Sequence, residues 1–139
     1  MPWWGYALGS ALFAGLTALF GKLGLAAVNS NFATLLRVLV IALFTACVVS
    51  VRREWVPVAG IGMRSLWFLV LSGLATGISW LCYYRALQLA PASRVAPLDK
   101  LSVVIAVLLG VLILGEPMNA KLALGVALIV IGSLLVAAS

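Results

Sequence analysis

Long apolar runs alternate with short polar breaks along the whole chain. We place five such runs at residues 3 to 20, 32 to 51, 66 to 89, 95 to 115 and 122 to 138. Each run is close to the roughly 20 apolar residues that a helix needs to cross the hydrocarbon core of a bilayer. The pattern therefore predicts an all-α, polytopic membrane helix bundle with five transmembrane helices, forming a single domain over residues 1–139.

The breaks between the runs contain residues that interrupt a helix. Polar clusters at residues 29–31 and 52–54 follow the first two runs. Pro91 separates the third run from the fourth, and Pro117 separates the fourth from the fifth. Proline has no amide hydrogen and its ring clashes with the preceding turn. Since the last two connections are short, the helices that they join are predicted to form antiparallel hairpins.

Composition narrows the class of protein further. Hydrophobic residues make up 65% of the chain and charged residues only 9%, whereas about a quarter of a soluble globular chain is charged. No basic segment precedes the first run, so we expect no removable signal peptide. Cys47 and Cys82 lie within apolar runs and are predicted to be small buried hydrophobes. Histidine is absent and no cluster has metal-ligand spacing, so we expect neither a metal nor another cofactor.

The basic residues divide almost evenly between the two predicted faces of the membrane. We name the face of the N-terminus side A and the opposite face side B. Side A has Arg52, Arg53, Arg64 and Lys121, and side B has Lys22, Arg37, Arg85, Arg94 and Lys100. This weak bias predicts dual or weakly biased insertion, with a slight preference for side A in the cytoplasm. The net charge of +6 is then assigned to topology and anionic lipid headgroups, and not to nucleic acid.

Charged residues gather near the helix ends on side B. They are Lys22 after the first run, Arg37 inside the second, Arg85 near the end of the third, and Asp99 and Lys100 opening the fourth. Long side chains at such positions ordinarily extend to the headgroups. An unpaired ion inside an apolar run costs several kcal/mol, so Arg37 and Asp99 are each expected to face a watery cavity or a partner.

Two further features bear on a binding site. Asp99 is predicted in the first turn of its helix, where the positive dipole end favours an anion, and Arg37 or Arg94 could pair with it; a structural ion pair and a proton-carrying site both stay open. Trp80 shares a helix face with Tyr83 and Tyr84, near Arg85. An aromatic wall beside a cation suits a pocket for an organic solute, and aromatic packing near the interface is the alternative.

Small residues recur at regular spacing on three of the predicted helices. The pairs are Gly5 with Gly9, Gly73 with Gly77, and Gly125 with Gly132. Such residues let helix backbones approach each other closely in a membrane. Packing within the chain and an interface between subunits both fit this pattern.

Several short motifs together resemble one transporter family. They are residues 21–25 (GKLGL), 36–39 (LRVL), 83–87 (YYRAL), 90–94 (APASR), 114–117 (LGEP) and 125–129 (GVALI) followed by Gly132. In this order and spacing they resemble the EamA family of the drug/metabolite transporter superfamily, and in particular its short single-repeat bacterial and archaeal branch. Most members of the family have ten helices in two inverted repeats around a central cavity, whereas this chain has one EamA-like repeat.

The resemblance implies a secondary transporter of a small organic metabolite, working as an antiparallel homodimer in the cell inner (plasma) membrane. Its expected partners are the lipid bilayer and the solute. No set of nucleophile, base and orienting residue and no phosphate loop indicates an enzyme. The alternative function is a non-transporting membrane subunit or assembly partner of another transporter.

The candidate solute-binding residues follow from the charge and aromatic patterns above. They are Arg37, Trp80, Tyr83, Tyr84, Arg85, Asp99, Lys100 and Lys22. The excess of basic residues on side B favours an anionic or zwitterionic metabolite as the solute. The aromatic face and Asp99 are also compatible with an organic cation. Asp99 and Lys100 depart from the uncharged residues of many ten-helix members, so no substrate is carried over from them.

Overall fold

The computed structural model describes residues 2–139, and its regular structure is helical. The α-helices are α1 (Trp3–Gly24), α2 (Ser30–Arg52), α3 (Met63–Leu89), α4 (Ala92–Asp99), α5 (Leu101–Leu114) and α6 (Ala120–Ala138), with one 3₁₀ turn at Val58–Gly60. Five segments are long and apolar enough to cross a membrane: α1, α2, α3, α4 together with α5, and α6. The predicted all-α class with five spans is confirmed.

The polar clusters that were predicted to break the chain act as helix caps. The side chain of Asn29 accepts a hydrogen bond of 2.9 Å from the amide of Asn31 at the start of α2, and Asn119 accepts one of 2.9 Å from Leu122 at the start of α6. Each side chain thereby satisfies an amide that has no partner within the helix. α2 ends at Arg52, and the next residue, Arg53, has a left-handed φ of 55° that turns the chain out of the helix.

The span predicted roughly over residues 95 to 115 is confirmed as Ala92–Leu114. It is not a single helix, because it is divided at Lys100 into α4 and α5. Pro97 lies inside α4 and supplies no amide, and the Lys100 amide donates to the Pro97 carbonyl at 3.1 Å, which tightens the backbone there.

The division at Lys100 also corrects the predicted position of Asp99. Asp99 is the last residue of α4 and does not lie in the first turn of its helix. The C-terminal end of a helix dipole is negative and disfavours an anion. The expected stabilisation of Asp99 by the dipole of its helix is therefore absent.

The chain forms two compact units. One is Gly24–Gln88, which contains α2 and α3, and the other joins Leu89–Ser139 to α1 up to Leu23. In the second unit, α6 packs against α4 and α5. The apolar side chains that are buried in the described residues are Ala18, Leu25, Tyr84, Leu87 and Val95.

Most apolar side chains of the spans face outward. Cys47 and Cys82 are free thiols on exposed positions of α2 and α3, so the prediction that they are buried was wrong. An apolar run in a membrane protein can be covered by lipid tails, and burial within the protein is not required.

Hydroxyl side chains in α2 and α3 bond to the backbone of their own helix. Each donates, at 2.8 Å, to the carbonyl oxygen four residues earlier; they are Thr34, Thr45, Ser50 and Thr76. These side chains are satisfied without a neighbouring helix.

Candidate functional site

A cation rests on aromatic rings between α2 and α3. The guanidinium carbon of Arg37 lies 4.0 Å from the ring centroid of Trp80 and 5.3 Å from that of Tyr84. Trp80 and Tyr84 are four residues apart and therefore share one face of α3. Both distances are within the roughly 6 Å over which a cation is attracted to the face of an aromatic ring.

This contact offsets only part of the free-energy cost of placing the charge of Arg37 in a membrane span. A desolvated cation–π contact contributes about 2 kcal/mol, whereas a charge at the centre of a membrane helix costs roughly 3 kcal/mol or more. Neither α2 nor α3 contains an aspartate or a glutamate. The guanidinium has five N–H donors, so Arg37 can also bind a hydrogen-bond acceptor.

The register of the α2–α3 hairpin explains why these residues meet. Arg37 lies 15 residues before the end of α2 at Arg52, and Trp80 lies 17 residues after the start of α3 at Met63. Residues at similar distances from a connecting loop face each other in an antiparallel hairpin. The sequence indicated that Arg37 needs a partner, and counting back from the loop is the signal that would have identified Trp80.

Tyr83 and Arg85 extend this arrangement toward the end of α3. The rings of Tyr83 and Tyr84 are 6.3 Å apart and tilted by 60°, which suits the edge-to-face preference of aromatic pairs. Arg85, which was predicted to stand beside the aromatic wall, is exposed and donates to the side chain of Gln88 at 3.1 Å. Gln88 in turn donates to the carbonyl of Val28 at 2.9 Å. The cation on the aromatic wall is thus Arg37, and Arg85 belongs to a polar chain at the helix end.

The remaining predicted site residues lie in the second unit. Lys22, in the last turn of α1, donates to the carbonyl of Ala90 at 2.9 Å. Asp99 pairs with its neighbour Lys100 at 3.7 Å, and both side chains are substantially exposed. The predicted pair of Asp99 with Arg94 is not formed, because Arg94 donates to the main-chain oxygen of Ser139.

An open cavity at the end of α5 was not expected from the sequence. It has a volume of about 320 Å³ and is lined by Ala106, Leu109, Gly110, Ile113, Leu114 and Glu116. Gly115, with a left-handed φ of 70°, turns the chain so that the Glu116 amide donates to the Gly110 carbonyl at 3.2 Å. A Cβ at Gly110 would lie only 2.8 Å from Oε2 of Glu116. The bare backbone of Gly110 therefore makes room for this carboxylate.

The side chains that commonly bind metal ions do not cluster in the described part of the chain. Within residues 2–139, no group of three or more His, Cys, Asp or Glu side chains could hold a metal ion.

Comparison with known proteins identifies the class to which these features belong. The profile of the EamA-like transporter family matches residues 1–138. A Sinorhizobium protein described as an uncharacterized transporter in the cobO 3′ region is 53% identical over 135 residues, which are 97% of this chain and 96% of that protein. No solved structure matches the chain significantly. The chain is thus a multi-pass membrane protein that belongs to the EamA-like transporter family.

Proposed function

We propose that this protein is a secondary transporter of a small organic solute and that Arg37 is the centre of its binding site. The observation that carries the proposal is the guanidinium of Arg37 held 4.0 Å from the Trp80 ring inside two spans. A charge in such a position is expensive in a bilayer and is typical of a site that meets a solute or a water-filled path. Membership of a transporter family supports the same conclusion and speaks against an enzyme.

The other proposed site residues have supporting roles. Trp80 and Tyr84 hold the guanidinium, and Tyr83 extends the aromatic wall on which an apolar part of the solute would rest. Arg85, which bonds to Gln88 near the end of α3, is proposed as a polar group that the solute meets before it reaches this wall. Lys22, Asp99 and Lys100 are proposed as polar groups at the membrane surface that the solute meets on its way in.

We also propose an antiparallel homodimer in the cell inner (plasma) membrane, with a two-fold axis in the membrane plane. Inverted repeats around a midplane site are the usual plan of secondary transporters, and two inverted copies of five spans reproduce that plan. The glycine pairs support this assembly: a Cβ at Gly9, Gly73, Gly77, Gly125 or Gly132 would meet no atom within 4 Å. These positions therefore offer surfaces that another helix can approach closely.

The function can be tested before the solute is identified. Proteoliposomes containing the pure protein would be loaded with a cell metabolite extract, and the solutes that leave would be identified by mass spectrometry. We expect selective release from wild-type vesicles and much slower release from Arg37→Ala vesicles. Equal release from wild-type and protein-free vesicles would contradict a carrier. Release only after a second membrane protein is added would instead support the assembly-partner function.

A further inference from the structure

We infer that the solute bound by Arg37 carries a carboxylate next to a flat apolar group. This inference rests on the proposed function and specifies the solute of the same site. It follows from the charge balance around Arg37, from the donor geometry of a guanidinium and from the rings beside it.

The unit that contains Arg37 has a large excess of positive charge. Gly24–Gln88 contains five arginines and a single carboxylate, that of Glu54. Glu54 lies in the loop after α2 and pairs with Arg52 at 3.5 Å. It is therefore unavailable to Arg37, which lies 15 residues before the end of that helix. A solute anion would supply the missing counter-charge.

The geometry of a guanidinium group selects the type of anion. The guanidinium carbon of Arg37 lies 4.0 Å from the centre of the Trp80 ring, and the group has five N–H donors in a rigid, planar fork. That fork matches the two oxygens of a carboxylate in a bidentate pair. A single guanidinium also balances a monoanion, whereas a phosphate dianion would call for a second cation at the site.

The rings beside Arg37 indicate what the carboxylate is attached to. Trp80, Tyr84 and Tyr83 present aromatic surface along one side of α3. A flat apolar group can pack on such rings while its carboxylate meets Arg37. An organic cation would be repelled by the guanidinium, and a neutral solute would leave its charge uncompensated.

Three probes of the same shape and different charge test this inference: benzoate, benzamide and benzylammonium. Their binding would be measured by saturation-transfer NMR on the protein in nanodiscs of phosphatidylcholine, which contains no anionic headgroup. We expect benzoate to bind at least about tenfold more tightly than the other two, as befits a charge-assisted hydrogen bond. Arg37→Gln should remove this preference, and Arg37→Lys should give an intermediate preference.

Arg64→Gln is the matched control, because Arg64 also lies over a ring, 6.0 Å from that of Phe68, near the start of α3. It should bind benzoate like the wild type. If Arg37→Gln does not fold, the ranking of probes on the wild type and the Arg37→Lys variant decide the question.

Equal binding of the three probes, or equal effects of Arg37→Gln and Arg64→Gln, would overturn the carboxylate assignment. If wild-type vesicles nevertheless release solutes selectively from the metabolite extract, the transporter function stands without it. If no probe binds and no solute is released, both proposals fail.

Discussion

Arg37 and Arg52 are arginines of the same helix in opposite environments. Arg37 lies within a span against Trp80, whereas Arg52 is 67% exposed and pairs with Glu54 at 3.5 Å. We predict that Arg37→Ala weakens the contact between α2 and α3 by about 1 to 2 kcal/mol, the value of a cation–π contact, because the cost of a charge in the span is the same whether or not the helices are packed. The variant should also strongly lower solute release. Arg52→Ala should cost less than about 1 kcal/mol, because exposed ion pairs contribute little. Thermal unfolding in detergent and vesicle flux measure the two effects. Equal losses would show that Arg37 merely extends to the headgroups.

A methyl group would destabilise the fold by different amounts at two glycines near the end of α5. At Gly115 the left-handed φ of 70° strains any residue with a Cβ, which costs roughly 1 to 2 kcal/mol. At Gly110 the Cβ would meet the carboxylate of Glu116, the far end of a flexible and exposed side chain that can move aside. We therefore predict that Gly115→Ala lowers the unfolding temperature more than Gly110→Ala. The reverse order would mean that the contact with Glu116 is held rigidly.

The helix-breaking proline at position 97 makes the fourth span discontinuous. Pro97→Ala would restore an amide that can donate to the carbonyl of Ser93 within α4, and it would remove the clash of the proline ring with that carbonyl. We predict slower amide hydrogen exchange at residues 98–101 in this variant than in the wild type. Pro91→Ala is the control, because Pro91 lies just before α4, where the helix needs no amide donor. Similar exchange in both variants would argue that the break has another cause.

At the scale of elements, the sequence predicts where the spans lie. It does not predict a break within a span or the face that each helix turns to its neighbours. All five spans lie within a few residues of the apolar runs, since crossing a bilayer requires length and hydropathy that are written directly in the chain. The division at Lys100 is a local change of backbone conformation. The hydropathy of a long apolar run does not reveal such a change. The face that each helix turns to its neighbours is also hidden, because the spans are apolar on nearly all sides. For that reason hydropathy predicts that Arg37 needs a partner, and only the count of residues from the connecting loop indicates that the partner is Trp80.

At the scale of the whole molecule, the even distribution of basic residues predicts weakly biased insertion. Side A has four basic residues and side B has five. Cysteines introduced singly between Trp55 and Gly62, in a variant lacking the exposed Cys47 and Cys82, should react with an impermeant reagent from both sides of the membrane. Two lysines added beside Trp55 should fix side A in the cytoplasm. Labelling from one side only, without those lysines, would contradict dual insertion.

The proposed dimer predicts a distinct crosslinking pattern along α3. Met63, Ile78 and Leu89 are exposed near the start, middle and end of this helix. Cysteines at these positions in native membranes should crosslink Ile78 to Ile78 and Met63 to Leu89 if the two copies are antiparallel. Crosslinks from Met63 to Met63 and from Leu89 to Leu89 would instead show a parallel dimer.

The hydroxyl groups of α2 and α3 affect how easily these helices move. A hydroxyl that bonds to an adjacent helix must break that bond when the two helices shift, and the hydrocarbon core has no water to replace it. Thr34, Thr45, Ser50 and Thr76 donate to their own backbone, so their bonds travel with the helix. Ser50 also accepts a hydrogen bond of 3.1 Å from Trp55, which lies in the loop directly after its own helix, so none of these four hydroxyls is seen to bond to a neighbouring helix. If α2 or α3 shifts relative to a neighbouring helix, these hydroxyls therefore lose no hydrogen bond. Shifts of this kind are what alternating access requires of a transporter.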